Sequence, residues 1–218
     1  MNSNIREQSI IRETEKYIKS HFQHDSSGHD WWHIYRVRNL ALHLSRKEGG
    51  NRFDIEMAAL LHDLDDWKIN ADNKEPRTKV WLEKQGISTE IARKIIQIID
   101  EVSFKGAGVE TPVSTLEAMV VQDADRLDAM GAIGIARTFA YGGNKGRLLY
   151  DPAVSPELHE SFDSYKKTSA PTINHFYEKL LLLKDRLNTE TAKKIAAGRH
   201  RFMETYLERF FKEWEGEI

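Results

Sequence analysis

The chain is organised around the stretch AALLHDLDDWK, residues 58–68. Small and apolar residues lead directly into a histidine, three acidic residues and a lysine, which predicts a buried helix with an ionisable end. Burying a carboxylate without a partner is costly, and neighbouring carboxylates repel each other. A divalent cation relieves both problems, and His62 with Asp63 offers it one nitrogen and one oxygen ligand. The alternative is a hydrogen-bonded core histidine followed by a solvated acidic helix end.

The composition is that of a globular protein with a sizeable core: 218 residues, 40% hydrophobic and 30% charged, with a formal net charge of −2. This charge predicts no electrostatic attraction to nucleic acid or to an anionic membrane. The absence of cysteine excludes disulfides, thiolate chemistry and iron–sulfur clusters. The start of the chain, MNSNIREQSI, has no signal-peptide pattern, and no apolar stretch approaches the ~20 residues that span a bilayer. We therefore expect a soluble, cytoplasmic protein with no nucleic-acid or membrane partner.

Hydrophobic periodicity predicts helices throughout, and no stretch shows convincing strand alternation. Asp54 is expected to cap the third helix, and one long helical region is expected to bend near residues 123–125. The other boundaries are set by glycine, proline and capping residues, with helices expected at about residues 5–21, 30–48, 76–85, 89–101, 113–141, 172–187 and 189–215. The pattern indicates a single all-α domain over residues 1–218. Its metal-binding core is expected at about residues 20–150, and closing helices are expected at about residues 150–218. A small second lobe formed by these closing helices stays open as an alternative.

Three of these helices place an ionisable side chain on an otherwise apolar face. His33 lies on a face with Val37 and Leu44, His62 follows the apolar face of the third helix, and Asp125 shares a face with small residues. A single inward histidine is more often a hydrogen-bonded core residue than a ligand. Three such helices in one chain favour a shared site.

In the order His33, His62 with Asp63, and Asp125, the chain resembles the HD-domain superfamily of metal-dependent phosphohydrolases. The motifs that carry the resemblance are GHDWWHIYRV (residues 28–37), the His62–Asp63 doublet and DADRLD (residues 123–128). The adjoining AMGAIGIARTF, residues 129–139, is similar to the bacterial YpgQ/YedJ-type subgroup. The resemblance covers about residues 20–150. It implies an HD-domain helical bundle whose central helices hold one divalent cation through His33, His62, Asp63 and Asp125.

Two imidazoles and two carboxylates form a mixed nitrogen and oxygen ligand set. This set favours manganese first, with nickel, cobalt, iron or magnesium as alternatives. Asp125 matches the family position, while Asp123 and Asp128 stay open as alternative ligands.

The resemblance also implies catalytic residues beside the metal, namely Asp63 and Asp66. Asp66 lies one helical turn after Asp63, where related phosphohydrolases often carry a glutamate that transfers a proton. Aspartate is one methylene shorter, and the alternative for Asp66 is a helix-end acid. Asp65 points elsewhere and is expected to be solvated.

Phosphate esters need cations to neutralise their oxygens during transfer. We expect the basic, glycine-rich loop at residues 142–147 to be the strongest phosphate-binding candidate. The complete set of expected substrate-binding residues is Lys68, Lys105, Arg126, Asp128, Arg137, Lys145 and Arg147.

The predicted function is a metal-dependent phosphohydrolase that acts on nucleotides. For the resembled subgroup, the implied reaction cleaves (deoxy)nucleoside triphosphates to monophosphate and pyrophosphate. The residues leave open a 5′-nucleotidase or other phosphomonoesterase of the same fold, and a non-catalytic nucleotide-binding regulatory module. A homodimer is also left open.

Overall fold

The computed structural model describes residues 3–22, 30–65, 76–102, 111–158 and 170–217. In these ranges every regular element is helical, which confirms the all-α prediction. The elements are α1 (Ser3–Phe22), α2 (Trp31–Glu48), α3 (Arg52–Leu61), α4 (Arg77–Lys84), α5 (Thr89–Asp100), α6 (Leu116–Asp128), α7 (Gly131–Asn144), α8 (Asn174–Glu178), a 3₁₀ helix (Leu180–Arg186) and α9 (Glu190–Trp214).

Asn51, and not Asp54, caps α3. The Asn51 side chain accepts hydrogen bonds from the backbone N–H groups of Phe53 and Asp54, at 3.0 and 3.1 Å. Asn51 is extended, and it follows two glycines that end α2, so the helix begins earlier than expected. Asp54 consequently lies in the first turn of α3, where it is buried.

The long helix expected at 113–141 is two helices, and the break lies after residue 128. Met130 is extended, and Gly131 has a φ of 70°, a backbone conformation that glycine adopts without steric cost. The prediction of a bend at 123–125 was therefore wrong in position. The helix expected at 172–187 is also divided, into the short α8 and a 3₁₀ helix. Lys179 separates them with φ −143° and ψ −59°, outside helical geometry.

The basic loop expected at 142–147 is shorter than predicted, because α7 continues through Asn144. Gly146 has a φ of 66°, and its N–H donates to the Gly143 carbonyl at 3.1 Å. The N–H of Arg147 donates to the Gly142 carbonyl at 2.9 Å. This pair of bonds is a Schellman end, which turns the chain sharply after α7.

The described residues divide into two compact units, one of residues 3–102 and 111–124 and the other of residues 125–217. The boundary falls within α6. Whether the chain behaves as the expected single domain stays a prediction.

The first unit is built around α3. This helix contacts α1, α2 and α5, and all its residues from Asp54 to Leu61 are buried. The run Met57–Leu61 is apolar on every side of the helix, and such a helix is stable only when other helices surround it. The end of α3 therefore delivers the following residues into the interior of this unit.

The second unit packs α7 and the 3₁₀ helix against α9. Aromatic rings from other segments also pack on α9: Phe176 of α8 stacks on Tyr206 with centroids 5.8 Å apart, and Tyr150 lies edge-on to Trp214 at 5.0 Å. None of the helices in the described part of the chain has both the length and the apolar character needed to cross a membrane.

Candidate metal centre

The candidate centre is built from the first turn of α2 and the turn that follows α3. Asp30 accepts a hydrogen bond from the His33 N–H at 2.9 Å and so caps α2. His33 is thereby placed in the first turn of α2, a helix that packs against α3, and its side chain is buried. His62 and Asp63 leave the end of α3 in a turn in which the Leu64 N–H donates to the Leu61 carbonyl at 3.0 Å.

These elements bring His33, His62 and Asp63 together, and their three ligand atoms lie within 4.8 Å of one another. The two Nε2 atoms are 3.3 Å apart. The Asp63 carboxylate lies 3.3 Å from His33 Nε2 and 3.5 Å from His62 Nε2. All three residues are buried, with exposures of 1% for His33 and 7% for each of the others.

The tautomer of the neutral His62 ring is indicated by its second nitrogen. His62 Nδ1 lies 2.9 Å from the Ala59 carbonyl, which can only accept a hydrogen bond, so Nδ1 carries the proton. In the neutral ring, Nε2 then presents its lone pair to the Asp63 carboxylate. Two electron-rich atoms facing each other in a buried site repel, and a cation bound between them removes the repulsion. The donor set of two imidazoles and one carboxylate therefore fits a divalent cation.

The three acids of the motif at residues 123–128 have different surroundings. Asp123 is fully buried, whereas Asp125 is half-buried. Asp128 is buried and forms an ion pair of 2.8 Å with Arg137, so both residues of that pair are engaged with each other. The role of Asp125 as a ligand stays a prediction from the resemblance.

The other described cations that were expected to bind substrate have different surroundings. Arg126 is buried and donates from Nη1 to the backbone carbonyl of Arg186, which ties α6 to the end of the 3₁₀ helix. Lys145 and Arg147 lie over the same ring, that of Tyr141, at 5.7 and 5.5 Å from its centroid. The positions of Asp66, Lys68 and Lys105 lie outside the described residues.

Asp65 has a role that sequence reasoning missed. It was expected to be solvated, but its carboxylate accepts hydrogen bonds from the backbone N–H groups of Arg77 and Thr78 at the start of α4. One signal was available in the sequence. The residue before α4 is Pro76, whose side chain cannot cap a helix, so the cap had to come from elsewhere in the chain.

Comparison with known proteins places the chain beside a set of helical hydrolases. The HD domain family model matches residues 31–130. The uncharacterized protein YpgQ of Bacillus subtilis is 37% identical over 216 residues, covering 97% of both chains. The crystal structure of YpgQ in complex with ADP has a TM-score of 0.75 and covers 94% of this chain and 98% of its own.

Two further crystal structures are similar over nearly the full length. An HD-superfamily hydrolase from Bacillus thuringiensis is 46% identical, with a TM-score of 0.73, and covers 96% of this chain and 99% of its own. A protein from Lactobacillus plantarum is 39% identical, with a TM-score of 0.85, and covers 94% of this chain and 96% of its own.

Proposed function

The chain belongs to the HD domain family of metal-dependent phosphohydrolases, and we propose that it hydrolyses nucleotides, converting (deoxy)nucleoside triphosphates to monophosphate and pyrophosphate. The observation that carries the proposal is the buried convergence of His33, His62 and Asp63. Three buried side chains with ligand atoms within 4.8 Å of one another, in a protein of this family, are suited to a divalent cation.

In this proposal, His33, His62 and Asp63 hold the cation, and Asp125 completes the ligand set. When bound, a divalent cation lowers the pKa of water and neutralises charge on a phosphoryl oxygen. His62 contributes a fixed orientation, because its Nδ1–H is hydrogen-bonded to the Ala59 carbonyl and its ring cannot turn without losing that bond. We assign manganese as the cation because the ligand set mixes nitrogen and oxygen.

A nucleotide substrate is supported by two lines of argument. YpgQ, which is 37% identical, was crystallised in complex with ADP. In this chain, Lys145 and Arg147 place two positive charges just after the end of α7, both near the Tyr141 ring. Paired cations of this kind suit the charge of a polyphosphate, and the pyrophosphate leaving group of a triphosphate needs such neutralisation.

Proton transfer is assigned to Asp66. It lies three residues after Asp63 in the sequence, and a carboxylate can act as a general acid or base. The assignment rests on the family resemblance and on chain position.

The test is an analysis of products from a panel of nucleoside mono-, di- and triphosphates, with Mn²⁺ and with chelator. We expect monophosphate and pyrophosphate from triphosphates, in the presence of Mn²⁺ only. Inorganic phosphate from monophosphates alone would replace the proposal with the 5′-nucleotidase. Binding of nucleotides without any turnover would instead support the regulatory module.

A further inference from the structure

One carboxylate joins the turn after α3 to the start of α4. Asp65 Oδ1 accepts a hydrogen bond from the Arg77 N–H at 2.8 Å, and Oδ2 accepts one from the Thr78 N–H at 2.9 Å. The first N–H groups of a helix have no partner within the helix, and a negative charge is favourable at that end. We refer to these two bonds as the Asp65 clasp. It joins the Asp65 side chain to the backbone of Arg77, twelve residues later in the chain.

The helix on the far side of the clasp is itself fixed. Trp81 of α4 donates from Nε1 to the Thr14 hydroxyl at 2.9 Å, and its ring stacks on Tyr17 with centroids 4.0 Å apart and planes 6° from parallel. At the end of α4, the Arg6 guanidinium donates to the Gly86 carbonyl at 2.7 Å. These contacts attach α4 to α1 at two points, and none of them involves the candidate metal centre.

The turn on the near side carries two proposed ligands within three residues. Asp65 lies two residues after Asp63, with Leu64 between them, so fixing the Asp65 side chain limits how far the Asp63 carboxylate can move. That carboxylate must stay close to both imidazoles, which it approaches at 3.3 and 3.5 Å. A shift of the turn by about 1 Å is enough to spoil a ligand set of this kind.

We propose that Asp65 is a positioning residue, whose clasp to α4 holds His62 and Asp63 in the arrangement that binds the cation. This inference rests on the proposed function, because only cation binding makes the position of these side chains matter for activity. Each oxygen of Asp65 accepts a hydrogen bond from a backbone N–H group, and the described cluster of possible ligands is His33, His62 and Asp63, so Asp65 acts through the turn. The loss of an outer partner of a metal ligand typically costs about 10–100-fold in metal affinity.

The test compares Asp65→Asn with Ser88→Ala. Asparagine keeps the size of the side chain but turns an amide NH₂ toward one of the two backbone donors. Ser88 caps α5 in the same unit, so its loss removes a helix cap and leaves the turn intact. Two quantities are measured on each protein: the exchange rate of the Leu64 amide in the metal-free state, and the dissociation constant for Mn²⁺.

For Asp65→Asn we expect faster exchange at Leu64 and a dissociation constant for Mn²⁺ that rises about 10–100-fold. Turnover should recover at saturating Mn²⁺, because the ligands themselves remain. Ser88→Ala should lower the melting temperature and change neither quantity. If Asp65→Asn lowers the melting temperature in the same way, with Leu64 exchange and Mn²⁺ affinity unchanged, Asp65 is a helix cap and the proposal is overturned.

Should Asp65→Asn fail to fold, Asp65→Ser replaces it, since serine can still accept one of the two hydrogen bonds. The two proposals fail in different ways. A wild-type protein that binds no Mn²⁺ contradicts the proposed function, whereas the exchange rate at Leu64 decides on the clasp in either case.

Discussion

At the scale of single residues, a hydrogen-bond partner can set both the tautomer and the orientation of a candidate metal ligand. His62 illustrates this, since the Ala59 carbonyl fixes its tautomer and leaves Nε2 as the nitrogen that faces Asp63. A ring held in this way is already oriented for cation binding, so it loses little additional conformational freedom when a cation binds. The proposed proton-transfer group, Asp66, differs from the proposed ligands because a general acid or base must change its protonation state during the reaction.

Substituting Asp66 by asparagine should therefore separate metal binding from catalysis. We expect turnover to fall by about 10²–10⁴-fold, the usual contribution of a general acid or base, while Mn²⁺ affinity is retained. Isothermal titration with Mn²⁺ and a pyrophosphate-release assay measure the two effects. Loss of Mn²⁺ binding in Asp66→Asn would instead make Asp66 a ligand.

The stability of the protein should also respond to the protonation of Asp54. Burial, and then the negative charge of Glu117, raise the pKa of the Asp54 carboxyl. The folded protein therefore holds this proton more tightly than the unfolded chain does, so the free energy of unfolding falls as the pH rises through the Asp54 pKa. A negative charge in the first turn of α3 is favourable to the helix dipole, which offsets part of this cost.

We accordingly expect Asp54→Asn to be slightly more stable than the wild type at pH 7, by less than about 1 kcal/mol. The difference should shrink as the pH falls toward about 4, the usual range of an aspartate in an unfolded chain. Urea denaturation at several pH values measures it. If the stability advantage of Asp54→Asn over the wild type grows at low pH, the Asp54 pKa is not raised in the folded protein.

At this scale the sequence predicted the convergence of His33, His62 and Asp63, because each lies on or follows an apolar helix face at helical spacing. It could not predict the partner of Asp65. That carboxylate bonds to backbone atoms twelve residues later, and backbone donors leave no trace in the identity of the side chains.

At the scale of elements, the shape of the second unit depends on how α6 ends and α7 begins. The sequence predicted helix on both sides but placed the break too early, at the acidic residues 123–125. The chain turns at Gly131, whose conformation only glycine adopts easily, and whose Cβ position would lie 3.1 Å from Arg199 Cβ and Cγ. A helix end of this kind is set by tertiary packing as well as by local preference.

Substituting Gly131 by alanine should destabilise the protein by about 1–3 kcal/mol, from the positive φ and from the contact with Arg199. The matched control is Gly198→Ala, within α9, where nothing lies within 4 Å of the added Cβ. Alanine is the better helix former, so this control should gain up to about 1 kcal/mol. Chemical denaturation compares the two, and equal effects of the same sign would contradict the account.

At the scale of the whole molecule, the helical fold could be predicted from the hydrophobic periodicity of the sequence. The family could be predicted because the candidate ligand residues occur in a fixed order on separate predicted helices. The division at residue 124 could not be predicted. It falls inside α6, where the composition of the chain does not change and no linker marks a boundary. The arrangement of Arg126 was likewise hidden, since a basic residue in a motif gives no indication that its guanidinium binds the Arg186 carbonyl.

The proposed function depends on a cation held by the cluster of His33, His62 and Asp63. The most direct test is a Mn²⁺ titration, with triphosphate hydrolysis followed on the same samples, of the wild type, His33→Ala and His43→Ala. Both histidines belong to α2, but His33 is buried in the cluster and His43 is exposed.

We expect the wild type and His43→Ala to bind Mn²⁺ and to release pyrophosphate alike. His33→Ala should lose both properties while its circular dichroism spectrum keeps the helical signal of the wild type. Full Mn²⁺-dependent hydrolysis by a folded His33→Ala would contradict the claim.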